Sequence, residues 1–159
     1  MSNDILETTL AKKLKGKLTR GSGCVCDDAD IRVDGFLIEA KRRSATKSII
    51  LDKKYWEKLR KQCVKYNKMP LYVFQAGDDA YGITYLDAFN IIEYKVEHMI
   101  DIEDKTNIII QKDDLNFVYK DPQAIAVFDW KNIRYVVLPM YTLEAIINGQ
   151  RKTEEIRED

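Results

Sequence analysis

The chain is short of the residues that build covalent and metal cross-links. It has three cysteines, Cys24, Cys26 and Cys63, and a single histidine, His98. An odd cysteine count without a paired spacing motif gives no disulfide framework and suits a reducing cytoplasm. Cys24-x-Cys26 with one histidine is too small a donor set for a zinc centre. Long apolar runs are also missing, as is a charged leader followed by an apolar stretch, so neither a membrane span nor a signal peptide is expected. Net charge is the third shortage, because 26 Lys and Arg balance 26 Asp and Glu. What remains is 159 residues, 45% of them hydrophobic. That suits one domain with a sizeable core over residues 1–150, followed by an acidic tail, 151–159, that reads as disordered.

The zero net charge hides an asymmetry. Residues 1–75 hold 17 Lys and Arg against 9 Asp and Glu, and residues 76–159 hold the reverse. A basic half attracts polyanions, and nucleic acid is the natural one.

Inside that basic half, Asp28-Ala-Asp-Ile-Arg-Val-Asp-Gly-Phe-Leu-Ile-Glu-Ala-Lys-Arg-Arg43 reads as a two-stranded hairpin. Ala29–Val33 alternates polar and apolar, Asp34-Gly35 is a two-residue turn signal, and Phe36–Lys41 continues as the second strand. A two-residue loop sets Val33 against Phe36, Arg32 against Leu37, Ile31 against Ile38 and Asp30 against Glu39. Directly opposed residues hold their Cβ atoms about 4.5–5.5 Å apart on one face. Two carboxylates at that spacing repel, and a divalent cation offsets them; Mg²⁺ takes one or two carboxylates plus waters and phosphate oxygens. Lys41, two residues past Glu39, points to the same face.

The order of elements predicts an α/β domain with a mixed central β-sheet flanked by helices. Ser2 or Asn3 caps a first helix running to about Lys15, with Leu6, Glu7, Leu10, Ala11 and Leu14 on one side. Glu7 thus looks inward, toward a cation or metal, or sits at the stripe's edge and reaches solvent. A strand interrupted by Gly21-Ser22-Gly23 precedes the hairpin. A helix from about Asp52 to Asn67 follows it, with Tyr55, Leu59 and Cys63 on one stripe and Trp56, Gln62 and Tyr66 nearby. Pro70 then separates this helix from an apolar strand, Leu71–Gln75. In the second half, Ala80–Ile92 reads as a strand turning into a helix and Asn107–Ile110 as a strand. Ala124–Phe128 and Arg134–Leu138 read as a hairpin, and Met140–Ile147 as a short helix. Val73-Phe74 followed by Tyr81 echoes Val127-Phe128 followed by Tyr135, a hint of internal duplication.

Glu7, Arg20-Gly-Ser-Gly23, Asp30 and Glu39-Ala-Lys41, in this order, resemble the PD-(D/E)xK nuclease superfamily, whose fold is restriction-endonuclease-like. Within it the chain is most similar to the archaeal-type Holliday junction resolvases, over about residues 3–75. Ala29 stands where that group has proline, and Asp27 and Asp28 are also acidic, so the aspartate ligand is Asp30 or one of these two. Gln62 and Tyr66, four apart, also resemble a Gln-x-x-x-Tyr element of some exonuclease branches; otherwise they are a surface amide and a half-buried aromatic.

The resemblance implies a Mg²⁺-dependent DNA endonuclease, Mn²⁺ substituting, that makes paired nicks in four-way junctions as a homodimer. It implies metal ligation by Asp30, Glu39 and the Ala40 backbone carbonyl, with Glu7 serving a second ion. Lys41 positions the nucleophile or neutralises charge. Ser22 holds a neighbouring phosphate, while Arg20, Arg42, Arg43 and Lys47 contact the DNA backbone. Residues 1–75 form the catalytic core and 76–150 supply further strands and helices, with a dimerisation role. The alternatives are a restriction-like, repair or end-processing nuclease, or a non-catalytic DNA-binding protein on the same fold. An intracellular protein is implied, and its size suits a viral or mobile-element enzyme.

Overall fold

The computed structural model describes residues 9–14, 17–18, 31–33, 35–43, 47–88, 96–121 and 123–148. Strand β1 is Lys17–Leu18, β2 Ile31–Val33 and β3 Phe36–Arg43. β2 and β3 pair antiparallel as Val33↔Phe36, Arg32↔Leu37 and Ile31↔Ile38, the register that a two-residue loop dictates. Gly35 takes φ +84°, a left-handed conformation that glycine adopts without a Cβ clash. β1 adds to the outer edge of β2.

In β3, Phe36, Leu37 and Ile38 are all buried, so alternation into solvent is lost. The cause is cover on both faces, as in parallel sheets. One face carries Ile38, Ala40, Leu71 and Val73, and packs on Leu10 and Leu14 of helix α1 (9–13) and on Leu143 and Ile147 of helix α3 (140–148). Leu10 and Leu14 are the described part of the stripe predicted for the first helix, and Lys12 and Lys13 are exposed beside them. Leu37, Tyr72, Phe74 and Tyr81 lie in the other core, under Trp56, Leu59 and Cys63 of helix α2.

α2 spans Lys53–Tyr66. The Asp52 carboxylate accepts from the Lys54 and Tyr55 N–H groups at 3.0 and 3.2 Å, satisfying two of the donors that a helix start leaves unpaired. Asn67 ends it at φ 53°. The buried stripe is Trp56, Leu59, Gln62 and Cys63, whereas Tyr55 and Tyr66 are exposed at the stripe's edge. This corrects the expectation of a stripe led by Tyr55: the large indole takes the central place and turns the helix accordingly.

β5 (Met69–Ala76) runs parallel to β3 along its whole length. Pro70 lies within β5 rather than ahead of it. Pairing with β6 (Asp79–Tyr85) begins only at Tyr72, so the absent N–H interrupts no β5–β6 bond. Further along come β7 (Val96–Met99), β8 (Glu103–Asp104), β9 (Ile108–Gln111), β10 (Ala124–Trp130) and β11 (Ile133–Pro139). The expected helix after β6 is a single 3₁₀ turn, Leu86–Ala88, as far as the described residues go. Eight strands form one mixed sheet in the order β1-β2-β3-β5-β6-β11-β10-β7. A second sheet, β4-β9-β8, includes β4 (Ser48–Leu51), which the sequence did not suggest. Its Ser-Ile-Ile-Leu reads like an apolar lead-in to α2, and its partner β9 is remote in the chain. Lys112–Tyr119, a 3₁₀ segment, completes the cover of that core.

The echo between Val73-Phe74…Tyr81 and Val127-Phe128…Tyr135 is structural. Phe74 opposes Tyr81 and Phe128 opposes Tyr135, each across a two-residue turn. Ile83 and Val137, two residues past those tyrosines, oppose each other where β6 meets β11. β3 runs parallel outside β5 as β7 runs parallel outside β10. The middle of the sheet therefore has an approximate two-fold axis through the Ile83–Val137 pair. No helix among the described residues is long and apolar enough to cross a membrane.

Candidate active site

Glu39 and Lys41 are alternate residues of β3, so both leave the sheet on the face that α2 covers. Lys41 Nζ lies 3.4 Å from Glu39 Oε1, and the two side chains keep 24% and 15% of their surface, enough for a substrate to reach them. The same ammonium stands 3.6 Å from the centroid of the Tyr55 ring. Tyr55 comes from the first turn of α2, which the Asp52 cap holds in place. Lys41 is thus gripped by a carboxylate and an aromatic face at once, which fixes an otherwise flexible side chain.

Behind Glu39, Tyr72 is its direct partner across the β3–β5 ladder. The hydroxyl of Tyr72 accepts from the Asp52 N–H at 3.5 Å. Burial pushes this hydroxyl far above the ordinary tyrosine range, and the nearby carboxylates of Asp52 and Glu39 push the same way. Tyr72 therefore stays protonated and ties the floor of the site to the start of α2. Ala40, between Glu39 and Lys41, is fully buried on the opposite face.

The basic residues after Lys41 divide. Arg42 alternates to the far face of β3, while Arg43 returns to the Lys41 face. The Arg43 carbonyl accepts from Gly77 N–H at 3.0 Å, and the Lys47 carbonyl from Lys112 N–H at 2.9 Å. Arg43 and Lys47 are exposed at the carboxyl end of β3, where β/α folds commonly take ligands. At the other end of α2, Gln62 is only 7% exposed, and its Nε2 has no hydrogen-bond partner. The Arg32 guanidinium lies 5.7 Å, and the Lys65 ammonium 5.3 Å, from the centroid of the exposed Tyr66 ring.

Of the residues singled out in the sequence, the structure joins Glu39, Ala40 and Lys41 in one place and puts Gln62 and Tyr66 further along α2. Glu7, Arg20, Ser22, Asp27, Asp28 and Asp30 lie outside the described residues, as does the tail 151–159. Among the described residues no three His, Cys, Asp or Glu side chains cluster as a metal site. Glu39 is a hard oxygen donor of the kind Mg²⁺ prefers, and it fits that ion as one ligand of a larger set. Tyr55, Tyr72 and Asp52 are participants that the sequence did not reveal. Tyr72 could be found only from the parallel β3–β5 register, and Tyr55 only from the rotation of α2.

No family model and no curated protein matches the chain. Among solved structures it is similar to Hjc, a Holliday junction resolvase from the archaeal hyperthermophile Archaeoglobus fulgidus. The TM-score is 0.50 and the identity 14%, with 71% of this chain and 89% of the resolvase covered. The likeness is one of architecture: this chain has a mixed-sheet α/β fold with flanking helices, similar to that of an archaeal Holliday junction resolvase.

Proposed function

We propose that the chain is a Mg²⁺-dependent DNA endonuclease that nicks four-way junctions in pairs, acting as a homodimer. The observation that carries this reading is the Glu39–Lys41 pair, 3.4 Å apart on β3, within a fold similar to that of a resolvase. Glu39, the Ala40 backbone carbonyl and Asp30 would hold the ion, with Glu7 serving a second one; Asp27 or Asp28 is the alternative to Asp30. A divalent ion held there supplies Lewis-acid polarisation of a phosphoryl oxygen and a lowered pKa for an attacking water. Lys41, kept in place by Tyr55, steadies charge that develops on the scissile phosphate. Arg43 and Lys47 hold the flanking backbone at the carboxyl end of β3, together with Arg20 and Ser22, whereas the contact expected of Arg42 does not fit its place on the opposite face of the strand. These contacts position DNA without reading sequence, so recognition rests on shape and weakens steeply with salt. Residues 1–75 supply the chemistry in this reading, and 76–150 complete the sheet and contribute to the dimer.

The test is cleavage of a synthetic four-way junction beside a linear duplex of the same sequence, with Mg²⁺, with Mn²⁺ and with chelator. Paired nicks confined to the junction and lost with chelator are expected. Glu39→Ala should abolish nicking while junction binding persists. Equal cutting of linear duplex would leave a nuclease but not a resolvase. Tight junction binding without cleavage in either metal would leave a DNA-binding protein.

A further inference from the structure

Tyr72 brings to the site a buried donor that no group accepts among the described residues. It is the direct partner of Glu39 in the β3–β5 ladder, so the two side chains leave the sheet about 4.8 Å apart on the face that α2 covers. The residue is 1% exposed. A phenol oxygen accepts hydrogen bonds and donates one of its own. Here it accepts from the Asp52 N–H at 3.5 Å, while its own O–H meets no acceptor among the described residues. A buried donor in that position costs free energy, so an acceptor that comes within reach is favoured. Two carboxylates stand near enough to strengthen this hydroxyl's hold on its proton, those of Asp52 and Glu39. Asp52 already accepts from the Lys54 and Tyr55 N–H groups as the cap of α2, which fixes its direction. The contact between Lys41 and Glu39 is looser. Its 3.4 Å exceeds the roughly 2.7–2.9 Å of a tight charged hydrogen bond.

We infer that Tyr72 is a positioning residue: its O–H donates to the Glu39 carboxylate when that carboxylate turns from Lys41 toward a divalent ion, and so fixes the oxygen that Glu39 presents. This rests on Glu39 as a metal ligand in the proposed function and adds the group that orients it. The hydroxyl is itself anchored, because its oxygen holds the N–H of the residue that caps α2. The direction of Glu39 is thereby tied to the start of a helix, and Lys41 is released to meet a phosphate. A ligating carboxylate hydrogen-bonded from behind keeps one orientation, and removing such a partner commonly costs about 10–100-fold in metal affinity.

The experiment is a calorimetric titration of the full chain with Mn²⁺ in the absence of DNA. Tyr72→Phe keeps the ring and its packing and removes the hydroxyl. It should bind Mn²⁺ about tenfold more weakly than the wild type. Gly82→Ala, which crowds Leu143 and Leu71 on the other face of the sheet, is the control for lost stability. It should melt lower yet bind Mn²⁺ within about twofold of the wild type. In a Glu39→Gln chain, whose affinity falls further, adding Tyr72→Phe should change binding by less than about twofold, because the two groups act as one. Wild-type affinity in Tyr72→Phe, a matching loss in Gly82→Ala, or an undiminished further loss on the Glu39→Gln background overturns the positioning role and leaves Glu39 as a ligand. Mn²⁺ binding that Glu39→Gln leaves untouched, or none by the wild type, overturns Glu39 as a metal ligand and the inference with it.

Discussion

Lys41 is positioned by Tyr55, and removing the ring should cost rate without costing fold. The ammonium lies 3.6 Å from the ring centroid and 3.4 Å from the Glu39 carboxylate. A cation over an aromatic face is stabilised by about 0.5–1 kcal/mol in the open and about 2 kcal/mol when dry. Lys41 keeps 24% of its surface, so a value near 1–1.5 kcal/mol applies. Spent on holding the ammonium in its working place, this corresponds to roughly five- to tenfold in rate. Tyr55→Ala should therefore slow single-turnover nicking of a four-way junction about five- to tenfold, measured with protein in saturating excess so that binding does not enter. Tyr55 is 40% exposed, so the same variant should lose no more than about 1 kcal/mol of stability in urea. Tyr55→Phe keeps the ring face and should nick within about twofold of the wild type. An unchanged rate in the alanine variant would refute the positioning role. A phenylalanine variant as slow as alanine would move the role from the ring to the hydroxyl.

Two further outcomes test the frame that holds the site. A methyl group added at Gly82 would lie 2.9 Å from Leu143 Cδ2 and 3.2 Å from Leu71 Cδ1, both in fully buried side chains. Gly82→Ala should destabilise the chain by about 1–3 kcal/mol, read as a lower urea midpoint at unchanged slope; a neutral substitution would show that α3 moves freely over the sheet. Burial pushes the Cys63 thiol from its ordinary value of 9.0 up to about 11. The folded state therefore keeps a proton that the unfolded chain releases first, so stability is full below the unfolded value and falls as pH rises from 9 toward 11. Urea midpoints taken across that interval should show this added fall in the wild type and lack it in Cys63→Ala; identical slopes would mean that the thiol is not held in its neutral form.

Much of this frame is legible in the sequence because local rules set it. The β2–β3 register follows from a two-residue loop at Asp34-Gly35 and from alternation in Ile31–Val33, and all three described pairs obey it. The limits of α2 follow from an Asp that caps and an Asn that ends it. What stays hidden depends on partners distant in the chain. β4 is four residues whose strand character comes from β9. Tyr72 enters the site because a parallel ladder sets it opposite Glu39, and Tyr55 leaves the core because Trp56 claims the centre of the helix stripe. In each case packing chooses between options that local pattern leaves equal.

The approximate two-fold in the sheet sets the candidate site against its symmetry-related place. Under it the place of Glu39, opposite Tyr72, corresponds to that of His98, opposite Ala126. Two residues on, Lys41 corresponds to Ile100, whose N–H donates to Val127. The lysine-rich α2 has as its counterpart the 3₁₀ segment Lys112–Tyr119, which begins with Asp113 and Asp114 in its first turn. The backbone frame is near-symmetric while the side chains are not. At these corresponding positions one half carries an acid–lysine pair and a basic helix, and the other carries His98, Ile100 and a 3₁₀ turn that opens on two aspartates. Among the described residues, the two-fold of the sheet therefore does not repeat the Glu39–Lys41 pair at its symmetry-related place. A substrate cut twice about a two-fold axis would, under the proposed function, take its second Glu39–Lys41 pair from a second chain, because the symmetry-related place in this one holds His98 and Ile100.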